Sequence, residues 1–234
     1  MQIVILAGGL GERIAPHIGR RPKSLASVNG RVFLDYQLDL LRQSGFTEVV
    51  LCLGHQGEQI RAHVAARRDS GLEIHLSEDG ERLLGTAGAV RNADHLLADE
   101  FFLTYGDSYL PIDYGAVAEA FRSSGKLALM VVYRNRNQFD RSNVVMEGSI
   151  VKVYDKKRSH PGMEYINYGI SVLRKEAVSM IPRNRPFSQE DFYQRLISER
   201  QLASYETPVR FYEIGSPGGL EEFRKLAETG AIGA

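Results

Sequence analysis

Three glycines in four positions follow an apolar run at the start of the chain. Gly8, Gly9 and Gly11 leave backbone amides free to turn toward an anion, because glycine has no Cβ in the way. Arg13 and Lys23 add two cations suited to phosphate oxygens. The pattern favours a loop that binds a nucleoside triphosphate, although the glycines alone also fit a tight turn without a ligand.

Two better-known phosphate loops do not fit these residues. A Walker A loop ends in Gly-Lys-Ser/Thr, and a dinucleotide-binding loop has glycine where Ile14 stands, which disfavours a nicotinamide dehydrogenase. No two histidines have metal-ligand spacing on a helix, and no Ser/His/Asp order stands out. We therefore assign no histidine to catalysis.

An aspartate follows the apolar segment at residues 101–104. Asp107 comes after Tyr105-Gly106, at the carboxyl end of a predicted strand, where open α/β sheets collect ligands. A carboxylate there suits Mg²⁺, which takes one or two carboxylates together with substrate phosphates. A lone aspartate after a strand is otherwise usually a turn former.

The elements that position these residues alternate between strands and helices. Short β-type runs are predicted at residues 2–7, 48–53, 73–77, 101–104 and 127–133. Their alternation with amphipathic segments predicts an α/β, Rossmann-like, mixed and mainly parallel sheet with helices on both faces. A small β-hairpin annex is expected around residues 147–149, and residues 1–234 are expected to form a single domain.

Helix ends are marked by particular residues. A helix at residues 33–44 should end before Gly45, and Ser188 and Ser216 should cap two later helices. Cys52 lies in an apolar run, where a buried thiol is the expected role.

Composition excludes several classes of function. The chain has 234 residues, 43% of them hydrophobic, and Lys plus Arg equals Asp plus Glu at 29 each. It therefore lacks the net positive field that would hold a nucleic acid or an anionic membrane. One cysteine excludes disulfides, and the short apolar start without a basic leader predicts a cytoplasmic protein. The sequence leaves the oligomeric state open, with a homodimer as one candidate because dimers are the commonest soluble oligomers.

The glycine loop and residues 22–25 together resemble the two-part signature of sugar-phosphate nucleotidylyltransferases, a family with the nucleotide-diphospho-sugar transferase fold. The resemblance implies that Arg13 contacts the phosphates and that Lys23 stabilises charge on the phosphorus under attack. It implies a nucleotide site formed by Leu6, Ala7, Gly8, Gly9, Gly11, Gly85 and Thr86, although small residues at the last two positions also fit an ordinary helix start. Glu78, just upstream, fits a hydrogen-bond acceptor for guanine and equally a solvated glutamate. Glu12 departs from the family, in which a neutral residue is common.

Further motifs extend this resemblance. It implies that Asp155, Lys156, Asn167 and Gly169 hold the sugar phosphate, although basic residues near Lys156 also fit a solvated loop. Asp107 and Glu213 would bind Mg²⁺, with Glu213 longer by one methylene than the usual aspartate.

The resemblance is strongest to guanylyltransferases that act on D-glycero-α-D-manno-heptose 1-phosphate. The expected reaction therefore joins GTP to this sugar 1-phosphate and releases pyrophosphate. The sequence leaves open a mannose-1-phosphate guanylyltransferase, an enzyme using UTP or CTP, and a non-catalytic sugar-nucleotide-binding regulator.

Overall fold

The structure is a computed structural model that describes residues 1–19, 21–67, 71–80, 82–230 and 232. The strands are β1 (Gln2–Leu6), β2 (Ser27–Val28), β3 (Arg31–Val32), β4 (Glu48–Leu53), β5 (Glu73–Glu78), β6 (Glu100–Tyr105), β7 (Ser108–Tyr109), β8 (Ala128–Arg134), β9 (Val144–Glu147), β10 (Ile150–Tyr154), β11 (Tyr165–Arg174), β12 (Leu202–Glu206) and β13 (Tyr212–Glu213). The helices are α1 (Ala15–Ile18), α2 (Phe33–Gln43), α3 (Gly57–Ala66), α4 (Gly85–Asn92), α5 (Tyr114–Ser124), α6 (Gln189–Ser198) and α7 (Pro217–Glu228).

Nine strands form the central sheet, in the order β5-β4-β1-β6-β11-β8-β12-β10-β9. β5, β4, β1 and β6 are mutually parallel, and β12 is parallel to β8. β11 is antiparallel to both of its main neighbours, β6 and β8. The predicted hairpin is present as β9 and β10, and it extends the main sheet at one edge. The mixed α/β sheet predicted from the sequence is therefore confirmed.

Helices cover both faces of this sheet because alternate residues of each buried strand point to opposite sides. In β1, Ile3 and Ile5 pack in the core formed with α2, α3 and α5, whereas Val4 and Leu6 pack in the core formed with α4 and α6. Cys52 belongs to the second core, where burial raises the pKa of its thiol to about 12. The predicted role of Cys52 as a buried apolar residue is confirmed.

The predicted helix ends also agree with the structure. α2 ends at Gln43 and is followed by Gly45 at φ 84°, a left-handed conformation that glycine adopts without strain. The Ser188 side chain accepts a hydrogen bond from the Asp191 N–H, and the Ser216 side chain accepts one from the Gly219 N–H.

The order of the strands creates a crevice beside β1. The chain passes from β1 outward to β4 and β5 and then returns to the other side of β1 as β6. Ligands bind outside the carboxyl ends of the strands at such a reversal. Because β11 runs in the opposite direction, its first residues, Tyr165 to Gly169, lie at the same end of the sheet.

The helices do not include a membrane span. Within the described ranges, no helix has the length and apolar character needed to cross a bilayer.

Candidate active site

A cleft of about 1370 Å³ opens at the carboxyl ends of the parallel strands. It receives residues that follow β1, β4, β5 and β6, the first half of β11, and the start of α7. The structure brings most of the predicted site residues to its walls, namely Leu6, Ala7, Gly8, Gly9, Arg13, Lys23, Gly85, Thr86, Asp107, Lys156, Asn167, Gly169 and Glu213. Gly11, Glu78 and Asp155 lie outside these walls.

The glycine loop is shaped by contact with the turn after β4. A Cβ on Gly8 would lie only 2.8 Å from the Gly54 backbone nitrogen, so a larger residue would force the two segments apart. The His55 N–H donates to the Gly8 carbonyl oxygen at 3.2 Å, which ties the loop down. Gly9 has no atom within 4 Å of its Cβ position among the described residues, and it lines the cleft as bare backbone.

Gly11 supports Lys23 instead of lining the cleft. It has φ +66°, and a Cβ there would lie 2.9 Å from the Lys23 Cγ. The Gly11 backbone therefore packs against the stem of Lys23, and the contact of Gly11 with the nucleotide stays a prediction. Glu12 lines a smaller pocket that adjoins the main cleft at Arg13 and Lys23.

Lys23 and Asp107 meet across the cleft. The Lys23 ammonium donates a hydrogen bond to Asp107 Oδ2, and both side chains are mostly buried. Lys23 begins a short 3₁₀ turn, and Asp107 lies two residues after the end of β6. Arg13 lines the same part of the cleft and has no ion pair with any described residue.

Asp107 and Glu213 form a pair of neighbouring carboxylates. The position that a Cβ of Gly215 would occupy lies 2.9 Å from Asp107 Oδ2 and 2.9 Å from Glu213 Oε2, and 3.6 Å from Arg13 Nη2. The distance between Asp107 Oδ2 and Glu213 Oε2 is therefore no more than twice 2.9 Å. Among the described residues, no group of three or more His, Cys, Asp or Glu could hold a metal. Mg²⁺ needs only one or two carboxylates when phosphate oxygens complete its shell, so this donor pair fits it.

The Glu213 carboxylate also holds the start of α7. Its Oε2 accepts a hydrogen bond from the Gly215 N–H, and its Oε1 accepts one from the Ser216 hydroxyl, both at 2.5 Å. A Cβ on Gly219 would overlap with the same carboxylate and with the Glu213 carbonyl oxygen. Each carboxylate oxygen has two lone pairs, so these bonds leave acceptor capacity on Glu213.

Gly85 and Thr86 are held at the opposite side of the cleft by the segment before α6. Gly85 has φ +73°, and a Cβ there would lie 2.8 Å from the Phe187 carbonyl oxygen. The Thr86 hydroxyl accepts a hydrogen bond from the Gln189 N–H at 2.7 Å. The exposed side chain of Leu83 adds an apolar surface next to these small residues.

The structure does not place Glu78 on the walls of the cleft, where a contact with the nucleobase was expected. Glu78 ends β5, is exposed and pairs with Arg61 outside the cleft. Side chains alternate in direction along a strand, and the next residue, Asp79, is the one that lines the cleft. Asp79 accepts a hydrogen bond from the Leu84 N–H at 2.9 Å, and its burial raises the pKa of the carboxyl group.

Asn167 and Gly169 lie together at the start of β11. Asn167 Oδ1 accepts a hydrogen bond from the Gly169 N–H at 2.9 Å, and Gly169 adopts φ +102°. The Gly169 carbonyl accepts from the Thr104 hydroxyl at 3.0 Å, which joins this bend to β6. Tyr168, between them, is buried in the core.

Asp155 is used locally and does not face the cleft, which corrects the expected contact with a sugar hydroxyl. Its carboxylate accepts hydrogen bonds from the Lys157 and Arg158 N–H groups and pairs with His160. These bonds lower the pKa of Asp155 well below its usual range. Short acidic side chains commonly satisfy nearby backbone groups in this way.

Lys156 points into the cleft beside two aromatic rings. Its ammonium lies 5.7 Å from the centroid of the Tyr105 ring and 5.8 Å from that of Tyr154. The residue keeps exposed surface because the cleft is open, but the cleft walls displace enough water that desolvation lowers its pKa. Asp107 and Glu190 oppose this shift.

Several residues that line the cleft were missed by sequence reasoning. They are Asp79, Arg141 beside Lys156 and, next to α7, Phe139, Arg210 and Glu222. The sequence signal that could have identified Arg210 is its position three residues before Glu213. The turn at residues 135–142 carries no such signal, because its residues resemble an ordinary polar loop.

The fold and the site define a nucleotidyltransferase, with a glycine loop, two cations and a carboxylate pair at the reversal of a mixed α/β sheet. Residues 3–213 match the family model of the MobA-like NTP transferase domain, and the chain belongs to that family. The predicted enzyme class and fold are confirmed.

Two curated relatives match almost throughout. The chain is 28% identical over 228 residues to the D-glycero-α-D-manno-heptose 1-phosphate guanylyltransferase of Campylobacter jejuni, covering 95% of this chain and 98% of the relative. It is 26% identical over 227 residues to the enzyme of the same name from Aneurinibacillus thermoaerophilus, covering 96% of each chain.

A solved structure is similar over the same extent. HddC from Yersinia pseudotuberculosis, complexed with GMP-PN, superposes with a TM-score of 0.83 at 26% identity, covering 97% of this chain and 99% of that one.

Proposed function

We propose that this protein transfers the guanylyl group of GTP to a sugar 1-phosphate, with D-glycero-α-D-manno-heptose 1-phosphate as the first candidate. The observation that carries the proposal is the meeting of Lys23, Asp107 and Lys156 in one cleft at the sheet reversal. The names of the two curated relatives and the GMP-PN complex of HddC support the choice of nucleotide and sugar.

The nucleotide lies between the glycine loop and the start of α4. Backbone amides of residues 8–11 and the Arg13 guanidinium bind the phosphates, since both provide donors to anionic oxygens. The base packs near Leu83 and Gly85, where the missing side chain of glycine allows a flat ring close approach. Asp79, rather than Glu78, accepts hydrogen bonds from the guanine edge.

The sugar phosphate binds near Lys156, Asn167 and Gly169. A phosphate monoester is largely dianionic at neutral pH, because its second pKa is about 6, so the reaction needs no protein base. Lys156 orients this nucleophile. A bond forms between a sugar phosphate oxygen and the α-phosphorus of GTP, the bond from that phosphorus to the bridging oxygen breaks, and pyrophosphate leaves as an anion.

Charge neutralisation is the main task of the remaining residues. Lys23 and Arg13 stabilise the negative charge that shifts around the α-phosphorus, as preorganised cations do in phosphoryl transfer generally. Asp107 and Glu213 would hold Mg²⁺, which supplies further neutralisation of the phosphate oxygens when bound.

Pyrophosphate release measured with each NTP, Mg²⁺ and a panel of sugar 1-phosphates tests the proposal. We expect turnover to be fastest with GTP and the heptose phosphate. Faster turnover with mannose 1-phosphate, or with UTP or CTP, would assign the protein a different substrate within the same reaction class. A cytoplasmic location and a homodimer remain predictions.

A further inference from the structure

An ion pair stacked on an aromatic ring closes one end of the cleft. The Arg210 guanidinium donates to both carboxylate oxygens of Glu222, with 2.9 Å between Arg210 Nη2 and Glu222 Oε2. The carbon at the centre of this guanidinium lies 3.7 Å from the centroid of the Phe139 ring. All three residues line the cleft, and none is used by the proposed transfer reaction.

The Arg210–Glu222 pair lies one helical turn beyond the residue of α7 that contacts Glu213. α7 begins beside Glu213, and Gly219 in its first turn packs against the Glu213 carboxylate. Glu222 lies one turn further along the same face of this helix, about 5 Å along its axis. The helix therefore leads from the proposed metal site to the Arg210–Glu222 pair.

The start of β11 contacts the backbone of Arg210 through the buried side chain of Tyr168. The Tyr168 hydroxyl donates to the Arg210 carbonyl oxygen at 3.3 Å, and Tyr168 stands between Asn167 and Gly169 in β11. A sugar whose phosphate lies at Lys156 and whose ring lies along Asn167 and Gly169 would thus direct its far end toward Arg210 and Glu222.

The position of Phe139 is fixed by a dense set of hydrogen bonds. The Asn135 side chain makes three of these bonds. Its Oδ1 accepts a hydrogen bond from the Phe139 N–H at 3.1 Å, and its Nδ2 donates to the Asp140 carbonyl oxygen and to the Ser142 hydroxyl. The Asn137 side chain accepts from the Ser142 N–H at 2.8 Å. Residues held by such local bonds present a rigid surface, which is what selective recognition requires.

The pair has hydrogen-bonding capacity left for a ligand. A carboxylate has about four lone-pair sites and a guanidinium five N–H donors, and only part of each set is used between Arg210 and Glu222. The side chain of Glu222 is 44% exposed and that of Arg210 is 26% exposed. Because Glu222 already neutralises Arg210, this end of the cleft suits neutral hydroxyl groups better than a second phosphate.

We propose that the Arg210–Glu222 pair, stacked on Phe139, determines sugar specificity by binding hydroxyl groups at the end of the sugar farthest from its phosphate. The inference rests on the proposed function for the identity of the ligand as a sugar 1-phosphate. It adds that polyhydroxylated sugar 1-phosphates are accepted and that sugars carrying a second phosphate at the far end are rejected.

The test compares Glu222→Gln with Glu164→Gln in the full chain. Glu164 also accepts two hydrogen bonds from one arginine, Arg134, and is 47% exposed, but it lies outside the cleft. For Glu222→Gln we expect the KM for the heptose 1-phosphate to rise by roughly tenfold, with the KM for GTP unchanged. The rejection of mannose 1,6-bisphosphate relative to mannose 1-phosphate should weaken in the same variant. Glu164→Gln should match the wild type in both respects.

Calorimetry distinguishes the proposed function from the role of the Arg210–Glu222 pair. It measures direct binding of the same sugar phosphates in the presence of a non-hydrolysable GTP analogue. Normal turnover with unchanged sugar KM and unchanged discrimination in Glu222→Gln would overturn the inference and leave the proposed function standing. Absence of pyrophosphate release, together with sugar binding that Glu222→Gln weakens, would overturn only the proposed function. Absence of both turnover and sugar phosphate binding would overturn both.

Discussion

The Lys23 ammonium donates a hydrogen bond to Asp107 Oδ2, joining the loop after β1 to the turn that follows β6. The proposed phosphate-stabilising cation and the proposed metal ligand therefore neutralise each other. A neutral substitution of one leaves the charge of the other unpaired in a partly buried cleft, so each such variant has to be judged by more than one measurement.

We expect Lys23→Ala to lower kcat by about 100-fold or more while weakening GTP binding much less. Preorganised charge acts most strongly where negative charge develops in the transition state. Steady-state kinetics and equilibrium binding of GTP check this, with Lys152→Ala as the control, because Lys152 pairs with Glu147 away from the cleft. Weakened binding with unchanged kcat would make Lys23 a ground-state phosphate ligand.

Asp107→Asn and Glu213→Gln should each raise the Mg²⁺ concentration required for half-maximal activity. Each variant loses one charged oxygen donor from the pair that flanks Gly215. Titration of activity with Mg²⁺ measures the effect, and thermal unfolding separates it from the loss of the Glu213 hydrogen bonds to α7. If Glu213→Gln has near-normal turnover and an unchanged Mg²⁺ requirement, Asp107 is the only protein carboxylate on the metal.

Asp79→Asn should reduce the preference for GTP over ATP by about tenfold, because a charged acceptor for guanine is lost while the acceptor for the Leu84 N–H is kept. Glu78→Gln is the matched control, since it removes the neighbouring charge from outside the cleft. Ratios of kcat/KM for the two nucleotides report the outcome. An equal effect of both variants would contradict a direct contact of Asp79 with the base.

Gly219→Ala should destabilise the fold, whereas Gly218→Ala should be neutral or stabilising by up to about 1 kcal/mol. A Cβ on Gly219 overlaps with Glu213, but a Cβ on Gly218 meets no described atom within 4 Å. Denaturant unfolding of both variants measures the difference. Equal stability would mean that α7 can shift away from Glu213 at little cost.

The affinity for sugar phosphate should fall as pH rises. The fall should begin at a lower pH than it would if the pKa of Lys156 were that of an ordinary lysine. Desolvation lowers the pKa of Lys156, so its charge is lost at a pH below the usual lysine pKa of about 10.4. The KM for the sugar phosphate should therefore rise at alkaline pH, and Lys156→Arg should remove that rise because arginine stays protonated. A wild-type KM that begins to rise no earlier than expected for an ordinary lysine would contradict the lowered pKa of Lys156.

Much of the fold was predictable because the pattern of apolar residues is set by burial. β4 matches its predicted bounds, since Glu48 and Gly54 flank a run in which nearly every residue is buried. β11 was not recognised as one strand, because Gly169, at φ +102°, interrupts the β pattern that pairing with β6 and β8 restores. Long-range pairing of this kind leaves no local signal in the sequence.

The site was predictable where a residue follows a buried strand, and not where the direction of a side chain decides its role. Asp107 faces the cleft because β6 ends there. Glu78 and Asp79 are adjacent acids, and only the end of β5 determines which one faces the cleft. Asp155 carries the expected motif, but its carboxylate bonds to its own turn.

The packing of α7 decides what a shortened chain would retain. The buried residues that fill the two faces of the sheet extend no further than Ala203 among the described residues. Leu220 and Phe223 of α7 instead pack in a third apolar cluster with Ile14, which follows the glycine loop, and with Phe33 of α2. A chain cut short before α7 would consequently keep both packed faces of the sheet but expose Ile14 and Phe33 to water. The support of the glycine loop and the far wall of the cleft would therefore be lost together.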